Sequence, residues 1–327
     1  NMVEKVGFST GGFNAKYGDK MSSVLDISYR RIKGFEANAT ASLLGASGYL
    51  GYGNRKFSMS HGLRYKTNKY LLGSLETTGE YNPKFIDYQT YISYLPNNRW
   101  SVDFIGNISD NHYNFKPESR ETSFGTMADI KQFKVYFDGE EKDRFTTLFG
   151  ALGVTRNIKD STSIKFITSA FHTKESETYD IAGQYWLDDT QTQESLGIGT
   201  YMEHARNYLT ADVVSFKLIG HHQTRRHNIE AGISLKLEKI KEQAREYEMR
   251  DSSGYSIPHS ANRLDMIYTL SAKNNISSNR IEAYIQDTYR WNKGNSYYTL
   301  NYGVSLANWS FNKETTGSQR ASLAIVP

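Results

Sequence analysis

Three groups of side chains in the sequence are of types that can do chemistry. His221 and His222 with His227 could hold a metal ion, since neutral imidazole is a common ligand. They flank a turn rich in arginine, with no carboxylate beside them in the sequence, and read as solvated turn histidines. Asp188 and Asp189 with His204 and Asp212 could supply the acid and histidine groups of a small hydrolase, although adjacent aspartates in a long polar segment are ordinarily surface residues. The third group is aromatic. Tyr179, Tyr185, Trp186 and Tyr201 fall in or beside one polar segment, and His112, Tyr113, Phe115 and Phe124 beside another. Such rings stack on sugars, aromatic chelators or peptides, or else pack one loop on another. Lys174, Arg206 and Arg245 could attract an anionic ligand to the same region, amid mixed charges. No G-x-S-x-G elbow, phosphate loop or H-E-x-x-H helix is present. The chemistry on offer is binding rather than catalysis, and it calls for no metal and no cofactor.

Composition narrows the classes further. The 327 residues include no cysteine, which excludes a disulfide framework, a thiolate zinc site, an iron-sulfur cluster and a cysteine nucleophile. Thirty-nine basic against 35 acidic side chains leave a net charge of +4 with no basic block, so nucleic acid is not an expected partner. Mean hydropathy is -0.62, without an apolar run of the ~18 residues a transmembrane helix needs. Membrane-barrel strands expose an apolar residue only at every second position, so this value is compatible with a barrel. Asn1 opens directly into polar, strand-like sequence with no signal-peptide pattern, as in a mature protein or a fragment.

The elements that must position these residues are strands. Ile229, Ala231, Ile233, Leu235 and Leu237 alternate with Glu230, Gly232, Ser234, Lys236 and Glu238. The same period of two recurs in residues 36–43 and 298–306. Only Lys236 to Glu248, rich in helix formers, offers a helical alternative. Connections fall into two length classes that take turns. Tight turns are expected at 54–56, 96–99, 159–162, 224–226 and 292–295, most of them rich in turn formers. Long polar loops are expected at 68–85, 116–144, 175–206 and 239–278, each beyond the ~12–15 residues usual within a compact domain. About twelve strands in an up-and-down meander follow, with the last barely begun at Arg320. Tyr65, Tyr91, Tyr94, Trp100, Tyr289, Trp291, Tyr297 and Tyr298 lie near expected strand ends, as girdle aromatics would.

The amino terminus carries a distinct motif, GGFNAKYGDKMSSVLDISYR over residues 11–30. Gly11, Gly12 and Gly18 would allow a tight turn between strands, and Phe13 and Tyr17 would anchor it by burial. The motif resembles the end of the plug domain in TonB-dependent outer-membrane receptors. There a Gly-aromatic-x-Ala-x-aromatic-Gly segment precedes a Ser-Val-Leu-Asp-Ile strand. Residues 42–45, Arg64-Tyr65, 79–83 through 87–89, and 319–323 are similar to that family's barrel, in versions with a carboxypeptidase-regulatory-like amino-terminal domain.

The resemblance implies an all-β fold. It would be an antiparallel transmembrane β-barrel, with about 12 of an expected 22 strands present, preceded by a plug end: residues 1–30 the plug end, residues 31–327 the first half of the barrel. It further implies a Gram-negative outer-membrane location and energy-coupled uptake of a bulky, scarce ligand. Implied partners are outer-membrane lipid, a TonB complex reached through an upstream segment, and a surface lipoprotein in glycan-importing versions. Most of the plug and the TonB box are missing from the sequence, and it stops at Pro327 within a strand, so no transport is expected of this chain alone. Ligand contacts would come from Tyr113, Tyr185, Trp186 and Tyr201 in extracellular loops. A receptor-like barrel serving as a structural subunit of a secretion, assembly or lipoprotein-paired complex is the alternative, and a small outer-membrane hydrolase the third reading.

Overall fold

A computed structural model describes residues 2–11, 14–18, 20, 22–68, 79–126, 129–251 and 264–327. In chain order the strands are β1 (Val3–Ser9), β2 (Val24–Tyr29), β3 (Gly34–Ser42), β4 (Gly45–Gly53), β5 (Phe57–Thr67), β6 (Gly79–Tyr81), β7 (Lys84–Asn97) and β8 (Trp100–Pro117). Then follow β9 (Arg120–Thr126), β10 (Asp129–Lys159), β11 (Thr162–Asp189), β12 (Ser195–Gln223), β13 (His227–Asp251), β14 (Asp265–Lys293), β15 (Ser296–Trp309) and β16 (Glu314–Val326). A 3-10 turn over Ala15–Tyr17 lies between β1 and β2, which pair with each other alone.

Twelve strands form one antiparallel meander in sequential order from β3 to β16, with β6 added to β8 and β9 to β10. Among the described residues the sheet does not close: β3 and β16 are each paired on one side only. All five expected tight turns fall between paired strands, and they alternate with the other connections, so they share one end of the sheet. Backbone bonds tie neighbouring turns together there, as from Asn157 to Arg99 at 2.7 Å and from Arg290 to Arg226 at 2.8 Å.

The long loops are corrected. Residues 129–144, 175–189, 195–206, 239–251 and 265–278 are not loop but parts of β10 to β14, and the connection from β11 to β12 shrinks to 190–194. The helical alternative over 236–248 is also overturned, since this stretch pairs throughout with β14 and, except at Ala244 and Arg245, with β12. Hydrogen-bonded neighbours on two sides outweigh a local helical preference of tenths of a kcal/mol per residue. The last strand, too, is longer than expected, since β16 begins at Glu314.

The amino-terminal segment touches one face of the sheet, here termed inner. Tyr29 stacks on Tyr91 with centroids 5.2 Å apart, Ile32 N–H donates to buried Ser58 Oγ at 2.8 Å, and Ala15 sits on Gly303. Residues paired across an antiparallel ladder share a face, so each face can be followed from strand to strand. The outer row runs Tyr94, Val102, Val154, Phe166, Leu218, Ile233, Ala283 and Leu306. One residue along, the inner row runs Ser93, Asp103, Gly153, Ile167, Lys217, Ser234, Glu282 and Ala307. Leu218, Ile233 and Leu306 are 46%, 52% and 58% exposed, whereas Ser93 and Ser234 are 1% and 7% exposed. This is the reverse of a water-soluble protein, where such a continuous apolar face would have to be covered.

On β13 the outer apolar band runs from Ile229 to Leu237, about the 9–11 residues that carry a tilted strand across a bilayer. It ends at Leu148, Val214 and Leu237; His172, Asp212 and Lys239 come next on the outer face. At the turn end Tyr289, Trp291 and Tyr298 stack on that face 5.1 to 5.2 Å apart, and the Arg156 guanidinium lies 5.3 Å from the Trp100 ring. Tyr297, adjacent to outward Tyr298, takes the inner face, and Tyr91 is a second exception to the expected girdle. Three residues from outward Tyr94, it points inward because strand faces alternate with a period of two.

The motif is only partly described, because Gly12 and Phe13 lie outside the described residues. Gly18 does not supply an unusual turn conformation; its φ of -56° and ψ of -34° are open to any residue. What it supplies is room, since a Cβ there would lie 2.6 Å from Ser305 Oγ. Tyr17 is half-buried and donates to Asp26 Oδ2 at 2.9 Å, so the buried anchor is Ala15, 2% exposed.

Candidate functional site

The inner face offers two surfaces. Near the turns, a cavity of about 300 Å³ lies between Ala15–Gly18 and β13 to β16. Lys16 N–H donates to Gln286 Oε1 at 3.3 Å, and Arg320 Nη2 donates to the carbonyls of Gly18 at 3.3 Å and Lys20 at 2.9 Å. Across the cavity Tyr284 donates to Glu230 at 2.7 Å, and Lys217 Nζ lies 5.2 Å from the Tyr284 centroid. Lys236 donates to Glu282 at 2.9 Å, and Arg280 stacks on Trp309 at 4.9 Å. Cations and carboxylates are matched here, so this surface has little net field.

Beyond the apolar band the inner face changes character. Asp143 stands opposite Tyr113 on one side and Glu177 on the other; Glu141 opposes Phe115 and Tyr179. Glu203 faces Glu248, and Glu246 faces Ala205. Carboxylates and phenols thus alternate over five strands. The charges act on one another. Burial first, then Asp143 and Glu177, push the Glu141 carboxyl up to about 7, and burial with Glu177 raises Asp143. Tyr113 and Tyr179 are each pushed up to about 12 by burial and then by surrounding carboxylates.

A pH dependence follows. A carboxyl whose folded pKa lies above its unfolded value favours the folded state while protonated, and that advantage is lost as pH rises from the unfolded value to the folded one. Heating scans in detergent between pH ~4.5 and ~7 should show the melting temperature falling as Glu141 ionises, and Glu141→Gln should flatten that fall. An unchanged slope in the variant would assign the titration to another group.

The aromatic residues expected in loops lie on strands instead: Tyr113 on β8, Tyr185 and Trp186 on β11, Tyr201 on β12. Tyr185 and Tyr201 share the inner face, each ring lying over a cross-strand glycine. A Cβ at Gly199 would meet Tyr185 Cζ at 1.9 Å, and one at Gly183 would meet Tyr201 Cε1 at 2.4 Å. Phe133 and Phe137 flank them with centroids at 6.3 and 6.2 Å. Trp186, adjacent to Tyr185, necessarily takes the outer face, where it meets Tyr136 edge-on at 5.2 Å. Tyr113 lies 6.3 Å from Tyr81, which stacks on Phe115 at 4.7 Å. Phe124 lies on β9, exposed.

The other candidates disperse. Asp189 pairs with Lys131 at 2.8 Å and accepts from the backbone of Gln191 and Thr192 at the hairpin tip, which together hold its carboxyl down to about 2. Asp188 faces Lys134 at 3.5 Å, His204 binds Asp180 at 2.5 Å, and Asp212 binds His172 at 2.7 Å. The acid and histidine groups of the hydrolase reading are therefore not brought together. His221, His222 and His227 bind Asn228, Thr162 and Asp287 respectively, the last at 2.6 Å. His227 thus has the carboxylate partner that its sequence neighbourhood lacks, supplied by β14. Among the described residues no group of three or more His, Asp or Glu side chains is placed to hold a metal. Lys174, Arg206 and Arg245 occupy the outer face and cannot draw an anion into the inner one. The inner carboxylates are not announced in the sequence, because on these strands the period of two shows only in the sign of the charge.

No protein-family model matches the chain, and no curated protein matches it. Among solved structures it is weakly similar to the CymD monoaromatic hydrocarbon channel, at 7% identity and a TM-score of 0.21 over 89% of this chain and 85% of that one. The siderophore receptor PirA from Acinetobacter baumannii gives 9% identity and a TM-score of 0.30, over 99% of this chain and 64% of that receptor's. The P. putida toluene transporter TodX gives 9% identity and 0.22, over 86% and 81%.

Proposed function

We propose that this chain is part of a TonB-dependent outer-membrane receptor for energy-coupled uptake of a bulky, scarce ligand, with residues 1–30 as the end of the plug and 31–327 as the first half of the barrel. One observation carries the reading: a twelve-stranded meander whose apolar face points outward and whose polar inner face is crossed by the amino-terminal segment. A bilayer solvates the outer face, and the segment fills part of the lumen as a plug does. Unpaired backbone in lipid costs several kcal/mol per group, so the free edges of β3 and β16 ask for further strands. The inner carboxylates repel polyanions, and Tyr113, Tyr185 and Tyr201 offer stacking platforms. A neutral or cationic ligand with planar or ring groups fits this surface best.

The test uses the full-length protein in whole cells. Uptake of ferric chelates of either charge, cobalamin, oligosaccharides and basic peptides is followed with and without the protein, and with the proton gradient intact or collapsed. One class should accumulate only when both are present. Accumulation that survives collapse of the gradient would make the barrel a passive channel. Dependence of outer-membrane assembly, rather than uptake, on the protein would favour the scaffold reading.

A further inference from the structure

The stretch KLEKIKEQAREYE, resolved as strand, segregates its charges by face. Lys239, Lys241 and Arg245 point outward while Glu238, Glu242 and Glu246 point inward. Lys174 on β11 and Lys273 on β14 join the outward set, Lys174 opposite Thr210, which on its other side faces Lys241, and Lys273 opposite Gln243. All five are exposed, and none makes an ion pair among the described residues. The nearest outward carboxylate, Asp212, is engaged by His172. These cations begin at the residue after the outward apolar band ends, Lys239 following Leu237 on the same face. They stand where lipid headgroups meet a barrel.

We propose that this collar binds the phosphate groups of phosphorylated lipid in the outer leaflet, fixing the barrel's depth and its lipid shell. Three observations carry it: five outward cations whose one directly opposed carboxylate, Asp212, is engaged by His172, no ion pair for any of them among the described residues, and continuity with the apolar band. An exposed ammonium or guanidinium beside acyl chains gains most from a phosphate held at that level. The proposal rests on the membrane reading above, and the experiment separates the two.

The full-length protein, wild type and with Lys174, Lys239, Lys241, Arg245 and Lys273 all changed to Gln, is incorporated into three kinds of vesicle. These are phosphatidylcholine alone, phosphatidylcholine with bisphosphorylated lipid A, and phosphatidylcholine with dephosphorylated lipid A. Retained lipid is then counted by native mass spectrometry. A Lys239→Gln, Lys241→Gln pair serves if the fivefold variant does not fold, and Arg for the four lysines should preserve binding. Wild type should retain lipid A, weakening with salt, and affinity should fall about fivefold for each cation removed. Equal retention by wild type and variant, or by lipid A with and without phosphate, would overturn the collar while leaving the barrel intact. Failure of wild type to enter even phosphatidylcholine vesicles would overturn the membrane reading and the collar with it. Capture of an acidic protein on these residues in place of lipid would also overturn it.

Discussion

Phe216→Arg is expected to cost about 2–4 kcal/mol of folding stability in a bilayer, and Ser215→Arg, one residue earlier, within about 1 kcal/mol. The two positions differ only in face. Phe216 stands on the outer face between Thr168 and Leu235 and is 39% exposed; Ser215 stands on the inner face between Ser169 and Lys236. An arginine at 216 must leave its guanidinium in hydrocarbon near the middle of the band or distort the bilayer to reach water. At 215 the same group enters a polar lumen and meets a modest repulsion from Lys217 and Lys236. Urea titration in phosphatidylcholine vesicles measures both variants against wild type. Equal costs would deny that the faces have different solvents. A larger cost at 215 would turn the barrel inside out and overturn the proposed function.

The outer and inner faces were legible in the sequence wherever one of them is apolar, as in residues 229–238, because alternation is then visible without any neighbour. The tight turns were legible for a similar reason: most are written in local turn chemistry. Beyond the apolar band both faces are polar, so the strand period survives only in the sign of the charge, and these strands read as loops or helix. Side chains on such strands gain their partners from other chain segments. Asp287 reaches His227 from 60 residues away, and nothing beside either residue announces it. Gly199 and Gly183 would pass for loop glycines until Tyr185 and Tyr201 are seen lying over them. The aromatic candidates were therefore found as residue types, while the surface that Tyr113, Tyr185 and Tyr201 share, and Trp186 does not, was set by register.

Gly303→Val should undock the 3-10 turn of the amino-terminal segment. Ala15 is 2% exposed, and its seat is the bare backbone of Gly303: a Cβ there would lie 2.8 Å from Ala15 Cβ, 2.8 Å from Gln286 Cβ and 2.7 Å from Ile285 O. Two of these atoms belong to β14, which is paired on both sides and cannot retreat, so the mobile party is the segment. Overpacking of this kind costs about 1–3 kcal/mol, which raises the undocked population roughly 5- to 150-fold. At the turn Lys16 N–H to Gln286 and Arg320 to the carbonyls of Gly18 and Lys20 remain, while Tyr29 on Tyr91 and Ile32 on Ser58 hold the far end of the segment. Hydrogen exchange of the Lys16 amide should accelerate by the same factor, while amides in the middle of β14 keep their protection. Protection lost equally in both places would mean that the strand, rather than the docking, had failed. Unchanged exchange at Lys16 would mean that the 3-10 turn is held by something other than its seat on β15. Under the plug reading the loosened segment also predicts leak of small ions through the full-length barrel, which planar-bilayer conductance would register separately from exchange.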